Sequence, residues 1–431
     1  MTPPNPTKGL CSPLPLRQLI YEFLKGALFK NGTTRTAMQH LNESNKITFD
    51  GTVGYLVHDL NDAAVARRVD LLTQGGAKVR IGGFRRRPAP DKIGAANPIV
   101  DLGVTKDMRL GQRILAIIRN IARSKQARHV TQNADVIIAR NLEMLAIAAW
   151  TRRPRQRLIY ECLDIHRLLL SGGHSGKVLR MLERWLIEKS SLIITSSPAY
   201  ADLYFRERQH YDGQILLIEN KVPFDAPMAL PPDHRSGEIN NPHCWRIGWF
   251  GIIRCRKSLT MLATLCAQAN GRVEVVIAGR PNLTEIPDFY AVVASSPGLI
   301  FVGPYQLDQL SSLYASVDFA WAVDFYEEGL NSSWLLPNRL YESLSAGVPP
   351  LALANVEVGR WLDRENVGRT FVDLKVEVLA FMLALTLEGY ETMRATVASL
   401  PVELTRFHSH ESKEIVSIIM APQPTDNVQE K

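Results

Sequence analysis

The residues best suited to chemistry lie between Val323 and Ala352, where Asn338 and Arg339 follow Pro337 and Glu342 comes one turn later. A helix opening at Pro337-Asn338 presents free N–H groups and a partial positive charge to an anion. The Arg339 guanidinium adds bidentate reach to phosphate oxygens. A carboxylate at Glu342 repels phosphate but accepts hydrogen bonds from the hydroxyls of a ribose or a sugar. Phosphate and polyol recognition side by side is what a nucleotide-sugar requires. The helix is expected to stop at Gly347, a C-cap position, with Pro349 and Pro350 starting the next strand. A buried strand from Phe319 to Phe325 is expected to lead into the loop that precedes it.

Two further segments carry candidate chemistry. In Gly248 to Ser258 a strand ends at Phe250, Gly251 lets a ligand approach the backbone, and Arg254 and Lys257 arrive just before a helix. Breaking a sugar–phosphate bond leaves charge on diphosphate oxygens, and fixed cations there would take it up. A strand-to-helix turn with two solvated basic residues is the plainer reading of the same pattern. In Tyr160 to His166, Asp164 is the first choice for a general base, with Glu161 and His166 behind it and His58-Asp59 as a rival. An aspartate at such a junction is also a common helix N-cap. No Asp-x-Asp triplet occurs, so the expectation is metal-independent chemistry with Arg254, Lys257 and Arg339 supplying positive charge, and no cofactor.

These residues need a scaffold that brings strand ends together. Strands expected at Val53–Val57, Lys78–Ile81, Asp135–Ala139, Leu158–Glu161, Leu192–Thr195 and Ile215–Ile218 alternate with helical stretches such as Asp62 to Thr73. After a proline-rich stretch the pattern repeats, with strands at Ile247–Phe250, Val273–Ala278 and Leu299–Val302 and helices at Ser258–Ala269 and Leu307–Ala315. Alternation of this kind gives parallel sheets covered on both faces. The expected organisation is an N-terminal extension at 1–50 with a short helix from Leu16 to Phe29, a first domain at 51–220, a linker at 221–244, and a second domain at 245–431. Helices near Val376–Leu387 and Glu411–Met420 would finish the second domain.

The segment Glu328-Gly329-Leu330-Asn331, followed by Leu340 to Pro349, resembles the donor-binding motif of GT-B glycosyltransferases of the family 4 type. The gap between Glu328 and Glu342 is wider than in that pattern, whose first glutamate falls at Trp334. Gly251, Arg254 and Lys257 resemble the family's basic diphosphate loop, while Ala278-Gly279 and Val302-Gly303-Pro304-Tyr305 match strand-end turns of its nucleotide pocket. VHDLNDAAVARRVDLL and YECLDIH resemble segments of bacterial exopolysaccharide transferases of the succinoglycan-assembly type. The resemblance implies two Rossmann-like, doubly wound α/β domains with the ligand in the cleft between them. It also implies transfer of a hexose from a nucleotide-sugar, a UDP-sugar first, to a lipid-diphosphate-linked or other saccharide acceptor. Gly251, Arg254, Lys257, Glu328, Asn338, Arg339 and Glu342 would then bind the donor. Asp164 would act as base if configuration inverts; if it is retained, the donor phosphate can take the proton. A nucleotide-sugar epimerase of the same fold and a non-catalytic partner in polysaccharide assembly remain the alternatives.

Charge separates the two halves. Residues 1–235 carry 35 Lys and Arg against 21 Asp and Glu, whereas residues 236–431 carry 15 against 22. One domain therefore faces an anionic partner. No helix-turn-helix or zinc-finger pattern accompanies the charge, which argues against nucleic acid and for an anionic membrane surface or a phosphate-bearing lipid carrier. Met108 to Val130 reads as a basic amphipathic helix, with an ordinary sheet-packing helix as the plainer alternative; Arg85-Arg86-Arg87 and Arg152 to Arg157 would extend its surface. Five scattered cysteines, no signal-peptide pattern and no bilayer-length apolar run point to reduced thiols and a cytoplasmic protein, peripheral at the inner face of the membrane.

Overall fold

Short runs of Val, Ile and Leu, bounded by Gly, Asn and Pro, build two parallel sheets. The computed structural model describes residues 51–104, 124–224, 226 and 244–422. The first sheet contains β1 (Thr52–Val57), β2 (Lys78–Arg85), β3 (Ile99–Val104), β4 (Val136–Arg140), β5 (Arg157–Cys162), β6 (Leu192–Thr195) and β7 (Ile215–Leu217). Its spatial order is β3-β2-β1-β4-β5-β6-β7, and every neighbouring pair is parallel. Parallel strands need crossover helices. Here α1 (Ala63–Gln74) links β1 to β2, and α2 (Ser124–Thr131), α3 (Leu142–Thr151) and α4 (His174–Ile187) follow along the chain.

A two-residue strand, β8 (Val222–Pro223), leads to the second sheet: β9 (Trp245–Ile253), β10 (Val273–Pro281), β11 (Leu299–Gly303), β12 (Phe319–Trp321), β13 (Pro350–Leu353) and β14 (Arg369–Phe371). Its order, β11-β10-β9-β12-β13-β14, repeats the winding of the first and is parallel throughout. In each sheet the winding reverses beside its first strand, between β1 and β4 and between β9 and β12. Ligands of open parallel sheets bind at such reversals, beyond the carboxyl ends of the strands. The sequence segments that fall there are 58–62, 140–141, 251–257 and 322–328, so the fold itself brings Gly251, Arg254, Lys257, Glu328 and the rival pair His58-Asp59 to these reversals. Two helices matter for them: α5 (Arg256–Gln268), capped by the Cys255 sulfur accepting from the Ser258 amide at 3.3 Å, and α6 (Asn338–Ser345).

Three differences from the sequence expectation bear on how the site is positioned. The strand expected over Phe319–Phe325 ends at Trp321, because the chain turns out of the sheet there and leaves Ala322 to Phe325 as buried loop. The stretch expected to be a linker from residue 221 begins as structure: β8 pairs in parallel with β15 (Arg406–Phe407), and Val222 packs with Leu336, Leu340 and Tyr341. The last helix, α7 (Ser409–Met420), leaves the second sheet and packs on α1 of the first. It is tied there by Lys221–Glu411 at 2.8 Å and by Arg157 donating to the Ala421 carbonyl.

The expected extension at 1–50, its helix from Leu16 to Phe29, and residues 105–123 of the expected basic helix lie outside the described residues; α2 accounts for the end of that helix. Among the described residues no helix is long and apolar enough to cross a membrane.

The seat of α7 gives a direct test. A Cβ at Gly75, the C-cap of α1, would meet Val416 Cγ2 at 2.3 Å and the Ser412 carbonyl at 2.4 Å. Backbone cannot yield as a flexible side chain does, so Gly75→Ala is expected to cost about 1–3 kcal/mol. Calorimetric melting should show a Tm lowered by several degrees; an unchanged Tm would place α7 elsewhere.

Candidate functional site

Two adjacent arginines on α1 set the geometry. Val65, Val69 and Leu72 bury one face of this helix, and Asp62 caps its start by accepting from the Ala64 amide at 3.0 Å. Arg68 points into the first domain, where its Nε lies 2.6 Å from Glu161, a residue with no exposed surface. Tyr55 donates its hydroxyl to the other Glu161 oxygen, and Arg140 reaches both Tyr55 at 3.2 Å and Asp62 at 3.1 Å. Burial and the neighbouring Glu161 charge push the Tyr55 phenol well above its usual range. Burial alone would raise Asp62, but Arg140 and His58 hold its carboxyl below the ordinary value. Glu161 is therefore a structural anion that holds β1, β5 and α1 together.

Arg67, one residue earlier, points the other way. It pairs with Glu342 of α6 in the second domain, with both side chains nearly buried, and also contacts the Asn220 carbonyl at 3.5 Å. The second Glu342 oxygen accepts from the Tyr314 hydroxyl at 3.3 Å. Tyr305 stands close by: burial and the Glu342 carboxylate push its phenol up to about 12, against the opposing pull of Arg339 and Arg67. Arg339 touches the Trp321 carbonyl at 3.4 Å, and Asn338 opens the helix. The site residues at 338, 339 and 342 thus gather at one helix start, with Arg67 added from the first domain.

The basic loop that follows β9 lies at the winding reversal of the second sheet. Gly251 has φ +117° with open space where a Cβ would stand. A Cβ on its register partner Gly279, at φ +135°, would lie 1.8 Å from the Gly251 carbonyl, so only glycine fits there. Arg254 follows β9, stacks 4.3 Å from the Tyr326 ring and lies 3.8 Å from Asp324. Lys257 sits 4.1 Å over Phe325 and pairs at 2.7 Å with Glu328. Glu328 therefore meets a cation at the rim, half exposed, and is not one of the contacts of Glu342.

Across the cleft, Asp164 follows β5 and solvent still reaches it. The protein crowding around it pushes its pKa up, while Arg254 and a hydrogen bond from Asn331 oppose that rise. Asn331 donates through Nδ2 to Asp164 Oδ1 at 2.6 Å. Glu327 is also raised, first by burial and then by the Asp164 charge, with Arg254 and Arg167 opposing. Arg254 is thus a shared counter-charge for carboxylates of both domains. His166 is the N-cap of a short helix, Arg167–Leu170, and its Nδ1 accepts from the Leu168 amide at 3.2 Å. Asp59, in the rival pair, accepts from the Asn61 amide at 3.0 Å and lies 3.7 Å from Arg86.

Sequence reasoning did not single out Arg67, Asp324 or Glu327, and it named Asn331 only as the last residue of the motif at 328–331, with no contact to Asp164. For Arg67 a signal existed: two arginines among core valines and leucines must have anionic partners. For Asn331 none existed, since its partners stand 166 and 131 positions away. Among the described residues no group of three or more His, Cys, Asp or Glu side chains is arranged to hold a metal ion.

The buried network yields a prediction. Glu161→Ala strands Arg68, which is only 5% exposed, and should cost about 3–5 kcal/mol in urea denaturation. Pairing it with Arg68→Met should recover much of that loss; an equal loss in the double variant would show that the pair is not the source.

No protein-family model matches the chain. Over 343 residues it is 43% identical to the succinoglycan biosynthesis protein ExoL of Rhizobium meliloti (strain 1021), covering 76% of this chain and 83% of that protein. The fold is similar to that of a sucrose-phosphate synthase from Thermosynechococcus elongatus, with TM-score 0.64 and 14% identity over 85% of this chain and 98% of the other. It is also similar to Anabaena HepE in complex with UDP-glucose, with TM-score 0.58 and 16% identity over 85% and 98%. A third similar structure is WaaG, a glycosyltransferase involved in lipopolysaccharide biosynthesis, with TM-score 0.57 and 13% identity over 86% and 100%.

Proposed function

The chain belongs to the GT-B glycosyltransferases, in the family of the succinoglycan biosynthesis protein ExoL, and from that premise we propose that it moves a hexose from a UDP-sugar to a lipid-diphosphate-linked saccharide. One observation carries the reading: the open backbone of Gly251 and the basic side chains of Arg254 and Lys257 stand at the winding reversal of the second sheet, with Arg254 near enough to act on the Asp164 carboxyl of the first domain. HepE, which shares the fold, is a protein whose structures hold UDP and UDP-glucose, and this supports uridine as the donor base.

In this reading the donor diphosphate lies along Gly251 and the start of α6, with Arg254, Lys257 and Arg339 taking up the charge that develops as the sugar leaves. Glu342 accepts ribose or sugar hydroxyls, and Arg67, already its partner, shares that carboxylate. With inversion, the acceptor oxygen bonds to the anomeric carbon as the sugar–phosphate bond breaks. The nucleoside diphosphate departs and the acceptor proton passes to Asp164, whose pKa is raised by burial and which would touch the acceptor in this pose. With retention the proton goes to the donor phosphate and Asp164 is a spectator.

The donor site is tested by calorimetry with UDP, GDP and ADP. UDP is expected to bind, and Glu342→Ala and Arg254→Ala should each weaken it about tenfold or more, ~1.4 kcal/mol. Absence of binding to all three nucleotides would sink the donor-site reading.

An acceptor carried in a membrane requires the first domain to meet that surface. The basic stretches do this less than their sequence suggests: Arg85 is paired with Asp101 at 2.6 Å, and Arg152 and Arg153 donate to backbone carbonyls. The face of α4 supports docking better. Val178, Met181 and Trp185 are 60%, 63% and 54% exposed at helical spacing. Lys177 and Arg184 flank them, and Lys189 lies 4.1 Å over the Trp185 ring. An apolar stripe bordered by cations suits an anionic lipid surface. Vesicle sedimentation should show binding to phosphatidylglycerol vesicles that Met181→Ser with Trp185→Ser reduces about tenfold; equal sedimentation of wild type and variant would remove α4 from the docking surface.

A further inference from the structure

Asn331, from the second domain, hydrogen-bonds the candidate base. Its orientation follows from its neighbours. The Ile165 backbone N–H, 3.2 Å away, can only donate, so the amide oxygen must face it; the Tyr200 hydroxyl donates to the same oxygen at 2.6 Å. The Asn331 NH2 group is then aimed at Asp164 Oδ1, at 2.6 Å. Asp164 Oδ2 has no hydrogen-bond partner among the described residues.

The loop that carries Asn331 is seated firmly on the first domain. Asn331 and Ser332 are 4% and 5% exposed. Trp334 and Leu335 pack against the first domain's core cluster, Ser197 donates to the Trp334 carbonyl, and Asn220 donates to the Leu336 carbonyl at 3.2 Å. This loop occupies the widened interval between Glu328 and Glu342.

We propose that Asn331 is a positioning residue: reaching across from the second domain, its side-chain amide fixes the Asp164 carboxylate through Oδ1 and leaves Oδ2 to take the acceptor's proton. The base is then correctly set only while the loop is docked, which ties domain contact to proton transfer. This rests on the reading of Asp164 as the base of an inverting transfer.

The test is the titration of Asp164 itself, followed by NMR on protein labelled with 13C at the aspartate carboxyl carbon. The resonance is assigned by its loss in Asp164→Asn. Other charges face this carboxyl: Arg254 after β9, Asp324 and Glu327 after β12, and Asp62 at the start of α1. None of them changes in the variants. A hydrogen bond donated to a carboxylate favours the charged form, so its removal raises the pKa. Asn331→Ala should move the Asp164 midpoint up by roughly one unit.

Asn331→Asp is the sharper variant. It still accepts from Ile165 and Tyr200, so a merely structural role predicts little change. A positioning role predicts a larger upward shift than in Asn331→Ala, because a donor is replaced by a like charge. Release of UDP from UDP-glucose over a membrane lipid extract should fall about tenfold or more in kcat, with KM for the donor nearly unchanged and the acid limb moved upward. Midpoints equal to wild type in both variants would overturn the proposal. So would full activity of Asp164→Asn, which would remove the base that Asn331 is said to position. Shifted midpoints in a wild type that releases no UDP would support the Asn331–Asp164 coupling and overturn the transfer reading instead.

Discussion

Two neighbouring guanidiniums on one helix hold this structure to its function. Arg68 turns inward to the buried Glu161, and Arg67 turns outward to Glu342. Consecutive residues on a helix point about 100° apart, so a single turn of α1 addresses the core of one domain and α6 of the other. A charge buried in protein must be paired. Arg68 therefore fixes α1 on its own sheet, and that rigid footing lets Arg67 fix the position of α6.

The cleft follows from that arrangement. Parallel winding puts the functional loops at the carboxyl ends of both sheets, and the Arg67–Glu342 pair brings those ends together. Carboxylates then crowd from both sides, Asp164 from one domain and Asp324 and Glu327 from the other, with Arg254 between them. Burial and the neighbouring carboxylates make Asp164 and Glu327 hold their protons more tightly than free groups do. For Asp164 and Glu327, Arg254 opposes that rise.

Much of this was readable from the sequence, and the failures have physical reasons. Strands such as Leu192–Thr195 show as apolar runs because parallel strands are buried on both faces. Gly347 shows as a helix stop because its φ of 72° is left-handed, a conformation that favours glycine. The start of α1 shows as Asp62, a side chain that bonds two residues onward. Such signals are local. The Arg67–Glu342 pair spans 275 positions and the Asn331–Asp164 bond 167, and no local pattern reports either. Glu161 and Asp164 looked alike as carboxylates near one strand end. Only the structure separates them, one sealed under Tyr55 and Arg68, the other open to the cleft. The role of the Trp334 loop was hidden for the same reason, since its apolar residues are explained by a surface in the other domain.

The course of α7 means that order along the chain and order in space diverge. Its last residue, Met420, adjoins Gly51 at the head of β1: a Cβ on that glycine would meet the methionine's Cε at 2.0 Å. The polypeptide is thus nearly a closed ring, fastened where its described ends meet. A break in the proline-rich stretch after β8 would leave one half lacking its final helix and the other carrying a helix with nothing to cover. The two lobes are distinct as shapes and inseparable as pieces of chain.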